Sequence, residues 1–392
     1  MFFIFYKHTW AFIGWGEATT PFSRVSYGSA SASTRRFCLT GPGKPPGMGV
    51  MGMQRYLSDH GLIEPMRCNY AEVRGVKVAV DVWNVVHLLL RRVDAFVGQF
   101  ERKRLNYWCL MTLFQVLNKK QFVPVFVFDG MYDIFCSAPS GNGAKAIARR
   151  QRKASRKTET LSQSPSASTP VTPFATLDDH RRKRPTYRFC RRLIEAAGYP
   201  IVAVPGYEAD ESCANLFHTG AVDYVISGDT DLLLMGCDLI LDPLPMFPPV
   251  VRYRVLLKHL GMESDDFLSH FVRCHTDLHS SAQLVSFEQA LEQWWGPRDG
   301  ERDVGPHIVE SERLFVEQVR RLVKPVSLPS DRKLLLLKRV PLSRGVAPDI
   351  DTLMEIVAKY DPDKLQKHLD DFIERYAYMR VSDLYVRVVA AD

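Results

Sequence analysis

Two apolar runs stand out from the polar background of the chain. Val76–Asp81 (VKVAVD) and Val123–Gly130 (VPVFVFDG) are rich in valine and phenylalanine, and each runs into an aspartate. Apolar residues without polar alternation predict strands covered on both faces. Between them, Trp83–Val97 and Tyr107–Leu117 space their apolar residues as helices do. A helix over Arg188–Ala197 is stopped by Gly198, with Pro200 beyond, and a strand over Tyr199–Val204 follows. Next come a helix over Glu208–His218 and a strand over Val222–Ser227. Leu232–Met235 and Leu239–Leu241 continue the alternation, and Tyr253–Leu260 and Asp265–Val272 read as helices. Strands alternating with helices predict an α/β fold, a parallel central sheet flanked by helices. After His279 the pattern loosens. Phe287–Trp295 and Arg313–Leu322 read as helices, Pro297–Pro306 as a loop and Asp349–Tyr378 as a charged helical tail.

These changes of pattern divide the chain. Residues 1–47 begin with an aromatic stretch broken by Lys7 and His8, a poor signal peptide. They continue rich in Ser, Gly and Pro, and read as disordered or as an extension upstream of the functional start. Met48 opens MGVMGMQRY, a plausible start site. Residues 48–136 form the first part of the α/β domain and 185–285 its second part. Between them, 137–184 carry a basic run and then a Ser/Pro-rich stretch that cannot bury enough apolar area to offset its ordering entropy. Residues 286–392 form a mainly helical C-terminal region.

Composition narrows the class. With 46% hydrophobic and 24% charged residues in 392, the chain cannot be disordered throughout. No apolar run approaches the roughly 20 residues that span a bilayer. Eight scattered cysteines without a CxxC pair fit a reducing compartment better than a disulfide scaffold. The formal charge of +7 is unevenly spread: Lys145–Arg192 carries a net +11, residues 1–47 carry +4, and the remainder sums to −8. An acidic body with a basic insert points to a polyanionic partner, or to a charged and solvated loop.

The acids fall in telling places. Asp81 and Asp129 close apolar strands, and Asp229 and Asp231 follow the strand VDYVIS in SGDTDLLLMG. Glu208, Asp210 and Glu211 open a helix in GYEADESCANL, and Asp277 follows the helix DFLSHFV. Open parallel sheets bind ligands beyond the carboxyl ends of their strands. Acids gathered there repel one another unless cations neutralise them, and an all-oxygen set suits Mg²⁺ or Mn²⁺. Two such ions about 3.5–4 Å apart are the arrangement that cleaves phosphodiesters. Taken singly, Asp129 is equally a helix cap, and Glu208, Asp210 and Glu211 equally complement a helix dipole.

VKVAVD, FVFDG, YEADESCANL and SGDTDLLLMG, in that order, resemble the flap endonuclease (Rad2/XPG) superfamily of nucleases, which shares a PIN-like fold. Within it, AVDVWNV, GAKAI, DTDLLLMGCDLILD and FVRCHTDLH resemble the host-shutoff endoribonucleases of the alphaherpesvirus tegument. The resemblance covers about Val76–His279. It implies a magnesium-dependent endoribonuclease that degrades messenger RNA, working from the virion tegument in the host cytoplasm. It further implies catalytic metal ligands at Asp81, Glu208, Asp210, Asp229, Asp231 and Asp277, with Glu211 an added acid of the metal set and Asp129 matching the acid after the second strand. Lys145, Arg149 and Arg150 fall where the family's basic gateway contacts phosphates. Host translation-initiation factors and a viral tegument transactivator are the implied partners.

The chain departs from the DNA nucleases after Asp277. LHSSAQLVSFEQ lacks the glycines of their duplex-gripping helix–turn–helix, which favours a single-stranded or RNA substrate. The alternatives are a DNA flap nuclease and a non-catalytic adaptor for translation factors. His275 and His279, with Cys274 and Cys237, raise a zinc site of poor ligand spacing. Ser212 and Cys213 as nucleophiles lack a patterned base. Trp294 and Trp295 are either base-stacking residues or core.

Overall fold

The computed structural model describes residues 2–6, 9–13, 49–66, 75–94, 102–130, 186–204, 207–279, 284–296, 310–323 and 347–381. The basic insert, with Lys145, Arg149 and Arg150, lies outside the described residues. Two units are distinguished, Met1–Thr40 and Gly41–Asp392. The first contains an antiparallel pair, β1 (Phe2–Tyr6) and β2 (Thr9–Ile13), where the sequence suggested no regular element.

The second unit is built on a seven-stranded sheet. Its strands are β3 (Glu64–Pro65), β4 (Lys77–Asp81), β5 (Val123–Val127), β6 (Ile201–Val202), β7 (Tyr224–Ile226), β8 (Leu239–Ile240) and β9 (Pro249–Val251). They lie in the order β3-β9-β8-β7-β4-β5-β6. The pairings β7–β8, β4–β7, β4–β5 and β5–β6 are parallel, as expected. β9 and β3 add an antiparallel edge that the sequence pattern does not reveal. Both are two or three residues long, too short for a periodic signal. Pro124 is tolerated within β5 because of the direction its nitrogen faces. Val123 donates to Val76 on one side, whereas Phe126 and Phe128 donate to Pro200 and Val202 on the other. The missing N–H of Pro124 therefore faces the β6 side, one pair before β6 begins.

The helices are α1 (Met53–Asp59), α2 (Val82–Asp94), α3 (Arg102–Lys119), α4 (residues 186–196), α5 (Ala209–His218) and α6 (Asp231–Leu234). They continue as α7 (Tyr253–Leu260), α8 (Ser264–Phe271), α9 (Phe287–Trp295), α10 (Glu310–Val323), α11 (Ile350–Tyr360) and α12 (Leu365–Val381). α7 and α9 have the bounds read from the sequence. Gly198 ends α4 as expected: at φ 76° its N–H reaches Glu195 and the next N–H reaches Ile194, satisfying the last carbonyls. The charged tail is two helices rather than one. Pro362 has no N–H to continue α11, and the chain makes a 3₁₀ turn over Pro362–Lys364 before α12.

Side chains alternate across the sheet. Val78, Val80, Phe126, Phe128 and Ile226 face an apolar layer with Phe114, Tyr199, Leu353 and Phe372. Ala79, Val125, Val127 and Val225 face the other layer, with Cys213, Leu232, Phe271 and Phe315. The period of two that sends Ala79 to this second layer sends Asp81 there as well.

Candidate active site

Four adjacent parallel strands, β7, β4, β5 and β6, end at the same edge, and acids follow each of them. Asp81 is the last residue of β4, and Asp129 lies two residues beyond β5. The loop after β6 leads to Glu208, Asp210 and Glu211 at the start of α5, and the loop after β7 leads to Asp229 and Asp231.

Each acid is held by local hydrogen bonds. Asp81 is buried; it accepts the N–H of Asn84 at 3.2 Å and the hydroxyl of Ser227 at 3.2 Å. Asn84 also accepts the N–H of Gly228 at 2.7 Å, so one side chain joins the Asp81 turn to the GDTD loop. In that loop Asp229 donates its N–H to Ser227 Oγ and accepts the N–H of Asp231 at 3.0 Å. Asp129 accepts the N–H of Ala209 at 2.9 Å, serving the first turn of α5. Glu208 and Glu211 form a reciprocal capping box, in which Glu211 Oε2 accepts the Glu208 N–H at 3.3 Å. Glu211 Oε1 accepts from Gln318 on α10. Both oxygens of Glu211 are thus engaged within the protein.

The acids also act on one another. Burial, and then repulsion by Asp129, Asp229 and Asp210, push Asp81 up to about 8, against an opposing hydrogen bond from Asn84. Burial and Asp210 push Glu211 up to about 7, opposed by Gln318. The named repulsions place Asp81, Asp129, Asp210 and Asp229 in one electrostatic cluster, with Glu208 and Glu211 beside it. These oxygen donors fit a hard divalent cation, which would remove the repulsion that raises Asp81. The side chains do not close around an ion: among the described residues, no three His, Cys, Asp or Glu form a ready-made coordination group.

Asp231 and Asp277 meet through a histidine. His275, fully buried, accepts the Asp277 N–H at its Nδ1 at 3.1 Å, and its Nε2 lies 3.1 Å from Asp231 Oδ2. His279 Nε2 lies 3.0 Å from Glu312 Oε1. The histidines therefore face carboxylates. Among the described residues no three zinc-type ligands gather. Cys213 is no nucleophile: it is wholly buried, and burial followed by Asp81 holds its thiol well above the ordinary range. Ser212 donates to the carbonyl of Glu208. Trp294 meets His270 edge to face at 5.2 Å, while Trp295 is exposed.

Sequence reasoning missed the segment that enters beside Asp229. Val50 donates its N–H to Thr230 Oγ1 at 2.9 Å, and Gly49 accepts from Thr276 at 3.2 Å. A Cβ on Gly49, at φ 105°, would stand 2.4 Å from Thr230 Oγ1 and 2.6 Å from Asp229 Oδ1. MGVMGMQRY marked a start site but gave no sign of contact with a loop 180 positions away. Asn84 and Ser227 were also missed. The spacing of Asp81 to Asn84, three residues as in a cap, was their one available signal.

The comparisons fit this arrangement. Residues 198–277 match the XPG I-region family. Flap endonuclease-1 of Methanococcus jannaschii superposes with a TM-score of 0.57 at 20% identity, over 81% of this chain and 98% of its own. The fold and the acid edge together define a flap-endonuclease-type α/β domain. The virion host shutoff protein of human herpesvirus 1 (strain KOS) is 33% identical over 284 residues, 64% of this chain and 58% of its own length. That of suid herpesvirus 1 (strain Kaplan) is 35% identical over 263 residues, 67% of this chain and 68% of its own. The chain belongs to the virion host shutoff protein family. It spans little more than half the length of the herpesvirus 1 and 2 relatives.

Proposed function

We propose that the chain is a magnesium- or manganese-dependent endoribonuclease that cleaves messenger RNA and so shuts off host protein synthesis. The observation that carries this reading is the gathering of Asp81, Asp129, Asp210 and Asp229 at the carboxyl edge of a parallel sheet, in a chain of this family. Such a charge cluster is stable as carboxylates only with cations between them. Two divalent ions bound there would hold the scissile phosphate and acidify the attacking water. Asp81, Glu208, Asp210, Asp229, Asp231 and Asp277 are the proposed ligands. Asn84 and Ser227 keep Asp81 and the GDTD loop in fixed relation, so the ligands are arranged before substrate arrives. Glu211 and Asp129, which hold the first turn of α5, set where Asp210 stands.

The substrate choice rests on the family's name and on the absence of a glycine-rich segment in LHSSAQLVSFEQ, after Asp277. In this reading Lys145, Arg149 and Arg150 contact RNA phosphates, translation-initiation factors target the protein from the tegument to cytoplasmic messages, and a tegument transactivator regulates it. No described helix is long and apolar enough to cross a membrane. The deciding test incubates the purified chain with matched RNA and flap DNA, in Mg²⁺ and in EDTA, beside Asp231→Asn. RNA cleavage that needs Mg²⁺ and is lost by at least about a thousandfold in the variant, roughly 4 kcal/mol of barrier, is expected. DNA cleavage without RNA cleavage would overturn the substrate assignment.

A further inference from the structure

Helix α10 lies beyond the residues that match the XPG I-region, yet one face of it is aimed at the acid site. Glu312, Phe315 and Gln318 follow one another at three-residue spacing and therefore share that face. Each touches a different part of the site. Gln318 donates to Glu211, in the first turn of α5 next to Asp210. The ring of Phe315 meets His275 edge to face, 4.9 Å between centroids and 88° between planes. Glu312 faces His279, two residues beyond Asp277, at 3.0 Å. Phe315 and Val319 are buried, so the helix is seated by apolar contacts while its polar residues reach the acids.

His275 is the joint in this arrangement. The Asp277 N–H is a donor, so Nδ1 accepts and the ring proton sits on Nε2, which lies 3.1 Å from Asp231 Oδ2. The same residue bridges in antiparallel fashion to Val50, in the segment beside Asp229. Its ring orientation is therefore fixed by the backbone on one side and by Phe315 on the other.

We propose that α10 is a positioning element of the nuclease site. Gln318 sets Glu211 and hence the start of α5. Phe315, through His275, sets the carboxylate of Asp231 relative to Asp277. These residues touch no reacting atom; they hold the groups that do. Partners of this kind orient carboxylates toward a metal, and losing one typically weakens metal affinity about 10–100-fold. The proposal rests on the metal-dependent nuclease reading of the same site.

The test measures Mn²⁺ binding directly, from the loss of the free-ion spin-resonance signal, on the full chain and on Gln318→Leu, His275→Leu and His275→Gln. RNA KM and the melting temperature in EDTA are recorded beside it. Gln318→Leu should bind Mn²⁺ about tenfold more weakly, with KM and EDTA melting temperature unchanged. His275→Leu should lose at least as much, and His275→Gln, which keeps an N–H to offer Asp231, should recover most of it. Gln318 is only half-buried, so its variant decides the matter even if His275→Leu fails to fold. Wild-type binding with unaltered affinity in a folded Gln318→Leu overturns the brace alone. A wild-type chain that binds no Mn²⁺ overturns the nuclease reading and the brace with it.

Discussion

On one face of the central sheet, Val78, Val80, Phe126, Phe128 and Ile226 pack into a layer of apolar and aromatic residues. On the other, Ala79, Val127 and Val225 lead within one or two steps to Asp81, Asp129 and Ser227. The same three strands supply both faces, so the difference lies in alternate residues rather than in the backbone. The first face is closely packed, and polar atoms buried in its layer, such as the Tyr187 and Tyr199 hydroxyls, belong to the segments that cover the sheet. The second carries buried carboxylates whose repulsion the protein alone does not neutralise. The apolar face packs the sheet, while the other gathers carboxylates whose burial and mutual repulsion raise Asp81.

The sharpest way to break that division is to damage the apolar face. Phe126 is fully buried, edge-on to Phe114 at 5.8 Å and to Tyr199 at 4.9 Å. Phe126→Ala should destabilise by about 3–5 kcal/mol. The loss, read from chemical denaturation, should be the same with and without Mg²⁺, since nothing on that face senses the ion. A Mg²⁺-dependent loss would show that the two faces are not separate.

Gly49 tests the charged side. A side chain there would collide with Thr230 and with the Asp229 carboxylate, at a φ that L residues rarely adopt. Gly49→Ala should destabilise by about 2–3 kcal/mol. In contrast to Phe126→Ala, it should also abolish cleavage in protein that remains folded. Retained cleavage at wild-type rates would mean that the Asp229 loop tolerates displacement.

Much of this division is legible in the order of residues alone. Continuous apolar runs ending in acids imply the parallel sheet and its acid-bearing edge, because both follow from local periodicity and strand polarity. The pairing of Asp81 with Ser227, of Asp231 with His275 and of Glu211 with Gln318 is not legible there. Those contacts join residues 44 to 146 positions apart, and no short-range pattern records them. The break in the C-terminal helix at Pro362 is legible in principle, since the residue itself breaks helices. The antiparallel edge is hidden for another reason: two- and three-residue strands are shorter than the period needed to recognise them.

The pH dependence of the metal-free protein sharpens the comparison further. Asp81 is raised from 3.8 to about 8, so the native state keeps a proton that the unfolded chain releases. Its contribution is complete below about pH 4 and is lost as pH rises toward 8. In EDTA, stability should therefore fall across that window, by about 2 kcal/mol after structural relaxation. Glu211, raised to about 7, acts in the same direction. Mg²⁺ should flatten the curve, with its largest stabilisation at the alkaline end. In Asp81→Asn the Asp81 share of the slope should vanish. A slope of opposite sign in the wild-type chain would show that these carboxylates are already neutralised by protein groups.

The smallest effect is expected at Asp129, which divides capping from catalysis. Its Oδ1 accepts the Ala209 N–H at 2.9 Å, and an asparagine carbonyl accepts that bond equally well. Asp129→Asn should thus alter stability by less than about 0.5 kcal/mol, since asparagine and aspartate cap helices comparably. It also removes one of the charges that raise Asp81, so the metal-free pH slope should become shallower. If Asp129 serves only the first turn of α5, cleavage should persist within a few-fold of wild type. A loss comparable to that of Asp231→Asn, with melting unchanged, would move Asp129 from the helix cap into the metal-binding set. Each of the four parallel strands from β7 to β6 would then contribute a ligand at this edge.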